Sequence, residues 1–251
     1  MKIIIPSEGR ADTISSQKFF PSAFVAVSRE NIAPYRDAGV PNLIETHGIT
    51  KAAKLNELVE QNPDETLFFF DDDIVGFSFY MQSIARLSWG KLIPTKKLLA
   101  LVHQCEQCAI DAGAYLFGFN QSSNTIDCPE YYSFQTVGFM SGHCFGLRPG
   151  HGLSMNPRII GKNDFWLSAL NLVKHKIMWQ DRRVFVHTRR IFSNRGGLSA
   201  KRNSETEKQD FALLKKSFGK IIGEGKSHGG TRSATGEYAG MIRIRIQSPF
   251  F

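Results

Sequence analysis

The chain has 251 residues, a formal net charge of +8 and 42% hydrophobic residues, which is the composition of a globular protein with a sizeable core. No apolar run approaches the roughly 20 residues of a membrane span, and the isoleucines between Lys2 and Pro6 form too short a run for a secretory signal. We therefore expect a cytoplasmic protein without a membrane partner, located in the host cytoplasm if the chain is viral.

The segment from Met1 to Phe70 alternates between strand and helix patterns. Strands are predicted over residues 2–6, 24–28, 42–46 and 66–70, and helices over residues 31–38 and 50–63. Thr50 is a suitable N-cap for the second helix, and Pro63 ends it. Strand–helix alternation with short connections predicts an α/β fold with a Rossmann-type, mixed but mainly parallel sheet flanked by helices.

The rest of the chain shows a more mixed pattern. Strands are predicted over residues 115–119, 134–147, 177–188 and 241–247, and helices over residues 95–112 and 205–218. Asn163 and Asp164 open a further helix, in which Trp166, Leu170 and Val173 are expected to share the packed face. The Gly-rich and Ser-rich residues 223–240 are predicted to form a loop.

The four cysteines do not suggest a disulfide framework. Cys105 and Cys108 form a C-x-x-C motif inside the helix predicted over residues 95–112, where cysteine acts as a small apolar residue. A zinc site would need a second pair, and only the isolated Cys128 and Cys144 remain. We expect no structural zinc.

The most informative segment is the apolar run Phe68-Phe69-Phe70, which ends in Asp71, Asp72 and Asp73. In an open α/β sheet, ligands bind beyond the carboxyl ends of the strands. Three acids placed there repel one another unless a cation neutralises them, and Mg²⁺ commonly shares carboxylate oxygens with a substrate phosphate. The run predicts a metal–phosphate site; the alternative is a solvated turn, in which Asp is common.

Residues after the first strand and at the start of the second helix are candidates for binding a nucleotide. Arginine can bond two phosphate oxygens at once, and helix N-termini favour anions. The candidates are Pro6, Ser7, Arg10, Lys51, Lys54 and, more weakly as a base contact, Asn56. Either lysine would alternatively be a solvated helix charge.

Two further segments are candidates for the metal site and for the substrate pocket. His187 lies at the end of a predicted strand and is the candidate third protein ligand of the metal, with His228 as its rival; a structural hydrogen bond is the alternative. Met140, Ser141 and Gly142, in the glycine-broken segment, are the candidate lining of the substrate pocket. The alternative for that segment is a bent core strand.

The positive charge is concentrated in the last third of the chain. Residues 174–251 contain 17 Lys and Arg against 6 Asp and Glu, a balance of +11, whereas the segment 1–173 has a balance of −3. Such asymmetry suggests a polyanionic partner, with nucleic acid as the first candidate and a solubilising surface as the alternative. The candidate DNA contacts are Arg189, Arg190, Arg243 and Arg245.

Four of these segments together resemble a known family. They are the start of the chain from Ile3 to Arg10, residues 51–56, the Asp run, and the pair Asn163-Asp164. In these features the chain resembles GT-A-fold glycosyltransferases. More narrowly, it is similar to the TET-associated glycosyltransferases of bacteriophages, which place sugars on 5-hydroxymethylcytosine in DNA. Glu8 departs from the pattern, since a small or basic residue is expected between Ser7 and Arg10.

The resemblance implies specific roles. Asp73 would bind a divalent metal, Mn²⁺ or Mg²⁺, while Asp71 and Asp72 support the nucleotide and sugar. Asp164 would be the general base that takes the proton of the acceptor hydroxyl; its alternative role is to cap the helix. The implied donor is a nucleotide sugar, expected to be a UDP-sugar, the acceptor is hydroxymethylated cytosine in duplex DNA, and a single base implies inversion.

The resemblance also implies one GT-A-like domain over residues 1–251. Residues 1–75 would form its nucleotide-binding half, residues 76–190 its sugar and acceptor half, and residues 191–251 a basic C-terminal segment. Three alternatives remain open: a glycosyltransferase with a non-DNA acceptor, a haloacid-dehalogenase-like phosphatase, and a non-enzymatic DNA-binding module. The phosphatase motif usually follows the first strand, whereas three other strand signals precede the strand that carries the acids here. A DNA-binding module leaves the acids without a purpose.

Overall fold

A computed structural model of the chain describes residues 1–79, 82–83, 86–87, 92–120, 133–188, 203–225 and 244–247. The helices are α1 (Ile32–Asp37), α2 (Lys51–Gln61), α3 (Thr95–Asp111), α4 (Asn163–His175) and α5 (Ser204–Phe218). The strands are β1 (Lys2–Pro6), β2 (Phe24–Ser28), β3 (Leu43–Thr46), β4 (Leu67–Phe70), β5 (Ile74–Phe79), β6 (Gln82–Ser83), β7 (Arg86–Leu87), β8 (Leu116–Asn120), β9 (Phe134–Gln135), β10 (Cys144–Leu147), β11 (Trp179–Thr188), β12 (Ile222–Glu224) and β13 (Ile244–Ile246).

Nine of these strands form the central sheet, in the order β3-β2-β1-β4-β10-β8-β11-β5, with β9 paired to β11. Strands β1 to β4 are mutually parallel, and β8 and β11 run in the same direction. Strand β10 is antiparallel to both of its neighbours, β4 and β8. The sheet is therefore mixed but mainly parallel, as the strand–helix alternation between Met1 and Phe70 predicts.

Helices cover both faces of this sheet because side chains alternate along each strand. Along β4, Phe68 and Phe70 join one buried cluster with the apolar face of α3, whereas Leu67 and Phe69 join the other with α2 and α4. The residues of β4 thus pack into the core on both faces of the sheet, which explains why every residue of this strand is apolar.

A small C-terminal unit packs on the outer side of α4. It consists of α5 and the hairpin of β12 and β13. A third buried cluster joins this unit to α4 and contains Ala169, Leu172, Leu214, Ile222 and Ile244. The entry to α4 therefore lies between the central sheet and the C-terminal unit.

The local sequence signals are largely confirmed. The predicted strands over residues 2–6 and 24–28 match β1 and β2, and the Thr50 side chain caps α2 by accepting the Ala53 N–H at 3.2 Å. Cys105 is buried in α3, as expected of a cysteine that acts as a small apolar residue, and Cys105, Cys108 and Cys144 are free. None of the described helices is long and apolar enough to cross a bilayer.

Two predictions about elements are wrong. The strand over residues 134–147 is formed only at its two ends, as β9 and β10, because β9 pairs with β11 whereas β10 pairs with β4 and β8. The packed face of α4 is also misassigned, since Leu167, Leu172 and their neighbours are buried while Val173 is 49% exposed. Residues Cys128, His228, Arg189, Arg190 and Arg243, and most of the loop over 223–240, lie outside the described residues.

Candidate active site

Several of the candidate residues meet at one edge of the sheet because of strand direction. Strands β1 and β4 are parallel neighbours, so the residues that follow Pro6 and Phe70 emerge side by side. Strand β10 runs antiparallel to β4 and pairs Cys144 with Phe70, so the residues just before β10 arrive at the same edge. The site is thus built from the ends of two strands and the beginning of a third.

Asp72 is bound by the segment that follows β1. Its carboxylate accepts the Ser7 hydroxyl at 2.6 Å and the Arg10 guanidinium at 2.7 Å. Tyr35 of α1 supports both partners, since its hydroxyl lies 2.8 Å from Ser7 Oγ and accepts the Arg10 N–H at 3.0 Å. Burial would lower the pKa of Arg10, but the Asp72 carboxylate raises it, so this arginine is firmly cationic.

Asp71 is bound by two cationic groups from other segments. Lys51 Nζ at the start of α2 donates to one carboxylate oxygen, and His143 Nδ1 lies 2.8 Å from the other. The backbone adds a contact, because the Asp71 N–H donates to the His143 carbonyl at 2.9 Å. Burial would raise the pKa of Asp71, but Lys51 and His143 hold it well below its usual range.

Asp73 differs from its two neighbours because it has no short contact with a protein cation in the described part of the chain. Its nearest cation is Arg10 Nη1, at 3.9 Å from Oδ2, and its Oδ1 is buried without a hydrogen-bond partner among the described residues. Burial raises the pKa of Asp73, and the charges of Asp71 and Asp72 raise it further. Asp73 is therefore the carboxylate on which an added cation would act most favourably.

Asp164, the candidate base, lies in the first turn of α4, and its side chain lies beside Gly142. A Cβ built on Gly142 would lie 3.9 Å from Asp164 Oδ2 and 3.8 Å from Lys51 Nζ, so both groups lie within van der Waals reach of the Gly142 position. Lys51 Nζ also donates to the Gly142 carbonyl at 2.9 Å. The carboxylate accepts the Phe165 N–H at 3.0 Å, which satisfies one orphan donor of the helix.

Lys54 and Asn56 lie in supporting positions rather than at the open edge. Lys54 is 2% exposed, and its Nζ donates to the Ser7 carbonyl at 2.8 Å and to the Glu8 carboxylate. The Asn56 side chain bonds the backbone N–H and carbonyl of Met155 at 2.8 and 2.9 Å. Direct contact of either residue with a nucleotide stays a prediction, and it would require these bonds to open.

The remaining candidates are also engaged by the protein. His187 Nε2 lies 2.7 Å from Ser78 Oγ of β5, where the ring makes a structural hydrogen bond. Met140 and Ser141 are buried, and the Met140 N–H donates to Ser168 of α4 at 2.9 Å, so they form the wall beneath Gly142. Among the described residues, no group of three His, Cys, Asp or Glu side chains is arranged to hold a metal ion.

His143 and Tyr35 belong to the site but are not among the residues predicted for it. Burial would lower the pKa of His143, but the Asp71 carboxylate raises it above its ordinary value, and the Asp164 charge adds to this effect. The signal for His143 was the glycine-broken segment that precedes it. Only the antiparallel pairing of β10 with β4 places it beside Asp71, and that pairing is not visible in the local sequence.

Comparisons with known proteins give a limited result. No protein-family model matches the chain, and no curated protein matches it. Among solved structures, the chain is similar to glucosyl-3-phosphoglycerate synthase from Mycobacterium tuberculosis in complex with Mg²⁺ and UDP, with a TM-score of 0.48, 10% identity, and coverage of 92% of this chain and 82% of that one. It is also similar to a mycobacterial protein, with a TM-score of 0.41, 11% identity, and coverage of 98% and 83%. At TM-scores below 0.5, neither likeness establishes a shared activity.

Because Asp71 has close protein partners for its charge and Asp73 does not among the described residues, substituting the two acids should have different effects on the free energy of unfolding. Asp71→Asn should lower the free energy of unfolding by about 1–3 kcal/mol, because Lys51 and His143 lose the charge that balances them. Asp73→Asn should leave the free energy unchanged or raise it by up to about 2 kcal/mol, because it relieves repulsion in a site not optimised for stability. Urea unfolding in EDTA measures both, and equal losses in the two variants would contradict this account.

Proposed function

We propose that the chain is a metal-dependent glycosyltransferase that moves a sugar from a nucleotide-sugar donor, a UDP-sugar, to hydroxymethylated cytosine in DNA with inversion. The observation that carries the proposal is the distribution of charge at the end of β4. Two of the three carboxylates have protein cations, while Asp73 has a buried oxygen without a hydrogen-bond partner among the described residues.

The donor set at Asp73 is suited to a hard divalent cation. Carboxylate oxygens are ligands that Mg²⁺ and Mn²⁺ accept, and Mg²⁺ is commonly held by one or two carboxylates together with substrate phosphates. The scarcity of protein ligands in the described part fits such a shared site better than a closed metal cage. When bound, the ion would stabilise the charge that develops on the diphosphate leaving group.

The chain's own residues supply the remaining parts of a transfer site. Arg10 is held by Asp72 at the end of β1, where its positive charge favours a phosphate-bearing donor. Asp164 borders the Gly142 position, which Lys51 also approaches, and we assign it as the base that accepts the acceptor's hydroxyl proton. A cation that attracts the phosphates of the donor and a carboxylate that takes the proton of the acceptor are the two kinds of protein group that direct displacement would use.

The proposed DNA acceptor is supported by charge. The balance of +11 in residues 174–251 has no purpose for a small neutral acceptor, whereas duplex DNA carries one charge per roughly 1.7 Å of axis. Of the four arginines proposed to contact DNA, Arg245 lies within the described residues, exposed on β13 of the C-terminal unit. The proposed contacts of Arg189, Arg190 and Arg243 rest on the sequence alone.

The two other function classes are less well supported. A haloacid-dehalogenase-like phosphatase would use Asp71 as its nucleophile, yet both oxygens of that carboxylate are already engaged by protein side chains, those of Lys51 and His143. A purely DNA-binding module would not need three adjacent acids with a buried carboxylate oxygen that has no hydrogen-bond partner among the described residues, because such a group costs stability.

The metal assignment predicts a nucleotide-dependent thermal shift. Mn²⁺ with UDP should raise the melting temperature of the wild-type protein, and Asp73→Ala should abolish both this shift and turnover of the donor, because the metal loses its principal protein ligand. Differential scanning fluorimetry and assay of UDP release measure the two effects. His103→Gln, on the exposed side of α3, is the control. Full turnover in EDTA would refute metal dependence.

Asp164 can be tested with a nearly isosteric change. Asp164→Asn keeps an oxygen for the Phe165 N–H but cannot take a proton at neutral pH, so transfer should fall by roughly 10²-fold or more. Nucleotide affinity and melting temperature should change little. If the variant instead loses stability and keeps its turnover rate, Asp164 only satisfies the helix end.

The acceptor prediction separates DNA from other acceptors. Binding to duplex DNA should be tight at low salt and fall steeply as salt rises, because phosphate contacts release counterions. Sugar should transfer only to duplexes that contain hydroxymethylated pyrimidines, and the transfer is measured as a mass gain on the digested nucleoside. Arg245→Glu should weaken DNA binding and spare hydrolysis of the donor. Transfer to a protein or lipid, with modified DNA ignored, would leave the glycosyltransferase proposal without its DNA acceptor.

A further inference from the structure

Three buried charged residues lie outside the site, where the C-terminal unit meets the entry to α4. Lys162 is 4% exposed, and Glu207 and Asp210, one turn apart on α5, are each 3% exposed. The proposed chemistry uses none of them. Charged side chains are almost never buried unless they are paired, so their position calls for a physical reason.

All three act on the short segment that leads into α4. Asp210 accepts two consecutive backbone N–H groups, those of Ile160 at 3.0 Å and Gly161 at 2.7 Å. Glu207 forms an ion pair at 2.8 Å with Lys162, the residue that follows Gly161. Helix α5 therefore binds three successive residues immediately before the turn that contains Asp164.

Stability alone does not account for this arrangement. Taking charges out of water is costly, and replacing a buried ion pair by apolar residues of similar volume is often neutral or stabilising. The surrounding cluster of Ile159, Leu172, Leu214 and Ile222 already supplies an apolar interface. The two hydrogen bonds that Asp210 accepts have directional requirements that apolar packing lacks, so they fix the position of the segment as well as its burial, and the Glu207–Lys162 ion pair adds a close charge contact to the next residue.

We propose that Glu207 and Asp210 are positioning residues for the base Asp164. They hold residues 160–162 so that the first turn of α4 places the Asp164 carboxylate beside Gly142. The proposal rests on the proposed role of Asp164. It assigns to the C-terminal unit a part in catalysis in addition to its proposed binding of DNA, because α5 belongs to the same unit as Arg245 on β13.

The decisive variant removes the buried pair without leaving a lone charge. Lys162→Leu combined with Glu207→Leu should keep the unfolding midpoint near or above that of the wild type, because no unpaired charge remains. Transfer should nevertheless fall roughly 10- to 100-fold in kcat, the scale of a misplaced catalytic group, with donor affinity unchanged. Amide hydrogen exchange in a peptide covering residues 159–166 should become at least tenfold faster.

A second variant and a control protect the test against a folding defect. Asp210→Asn keeps one oxygen for one N–H but turns an NH₂ group toward the other, so it should give the same pattern in exchange and in kcat. Glu205→Gln makes the same type of change on the exposed side of α5, where Glu205 accepts a hydrogen bond from the Gln209 side chain, and should leave all readouts unchanged.

The proposal is overturned if the double variant and Asp210→Asn keep wild-type exchange and kcat, or if exchange accelerates while kcat does not change. A loss of kcat fully explained by a lower fraction of folded protein would also overturn it. If the wild-type protein transfers no sugar to any acceptor, the proposed function fails. In that case the positioning role is still overturned if amide hydrogen exchange over residues 159–166 is unchanged in the double variant and in Asp210→Asn.

Discussion

The site depends on how three consecutive carboxylates at the end of β4 are balanced. Asp72 is paired with Arg10 from the segment after β1, and Asp71 with Lys51 from α2 and His143 from the start of β10. Because partly buried charges must be paired or hydrogen-bonded, these contacts also fix the segments that donate them. Asp73 lacks such a pairing among the described residues, and the same interactions that organise the site therefore leave one position where an added cation is favoured.

The antiparallel insertion of β10 converts this strand end into a two-sided site. A parallel neighbour would bring its own carboxyl end to the edge, whereas β10 brings the residues that precede it. His143 therefore lies against Asp71, and the Gly142 position lies within ordinary van der Waals reach of both Lys51 and Asp164. The antiparallel direction of β10 thus brings the proposed donor-binding residues and the proposed base to the same end of the sheet.

The sequence predicts those features that depend on local chemistry. The bounds of β1 and β2, the Thr50 cap of α2 and the placement of Asp71 to Asp73 after a buried strand all follow from propensity and periodicity. What could not be predicted depends on pairing between distant segments. Examples are the interruption of the strand over residues 134–147, the location of His143, and the burial of Lys54 under the turn after β1, where its charge is balanced by Glu8. The local sequence does not distinguish a buried lysine near the start of a helix from a solvated one.

The two buried lysines of the described residues mark the parts of the site that the sheet does not fix. Strand pairing determines where β1, β4 and β10 end, but not the course of the segment after β1 or of the segment before α4. Lys54 with Glu8 holds the first of these segments, and Lys162 with Glu207 holds the second. Buried ion pairs are poor sources of stability, and their best-attested benefit is a defined geometry. Their occurrence at these two segments is the pattern expected if the chain gives up some stability to fix the candidate donor side and the candidate base.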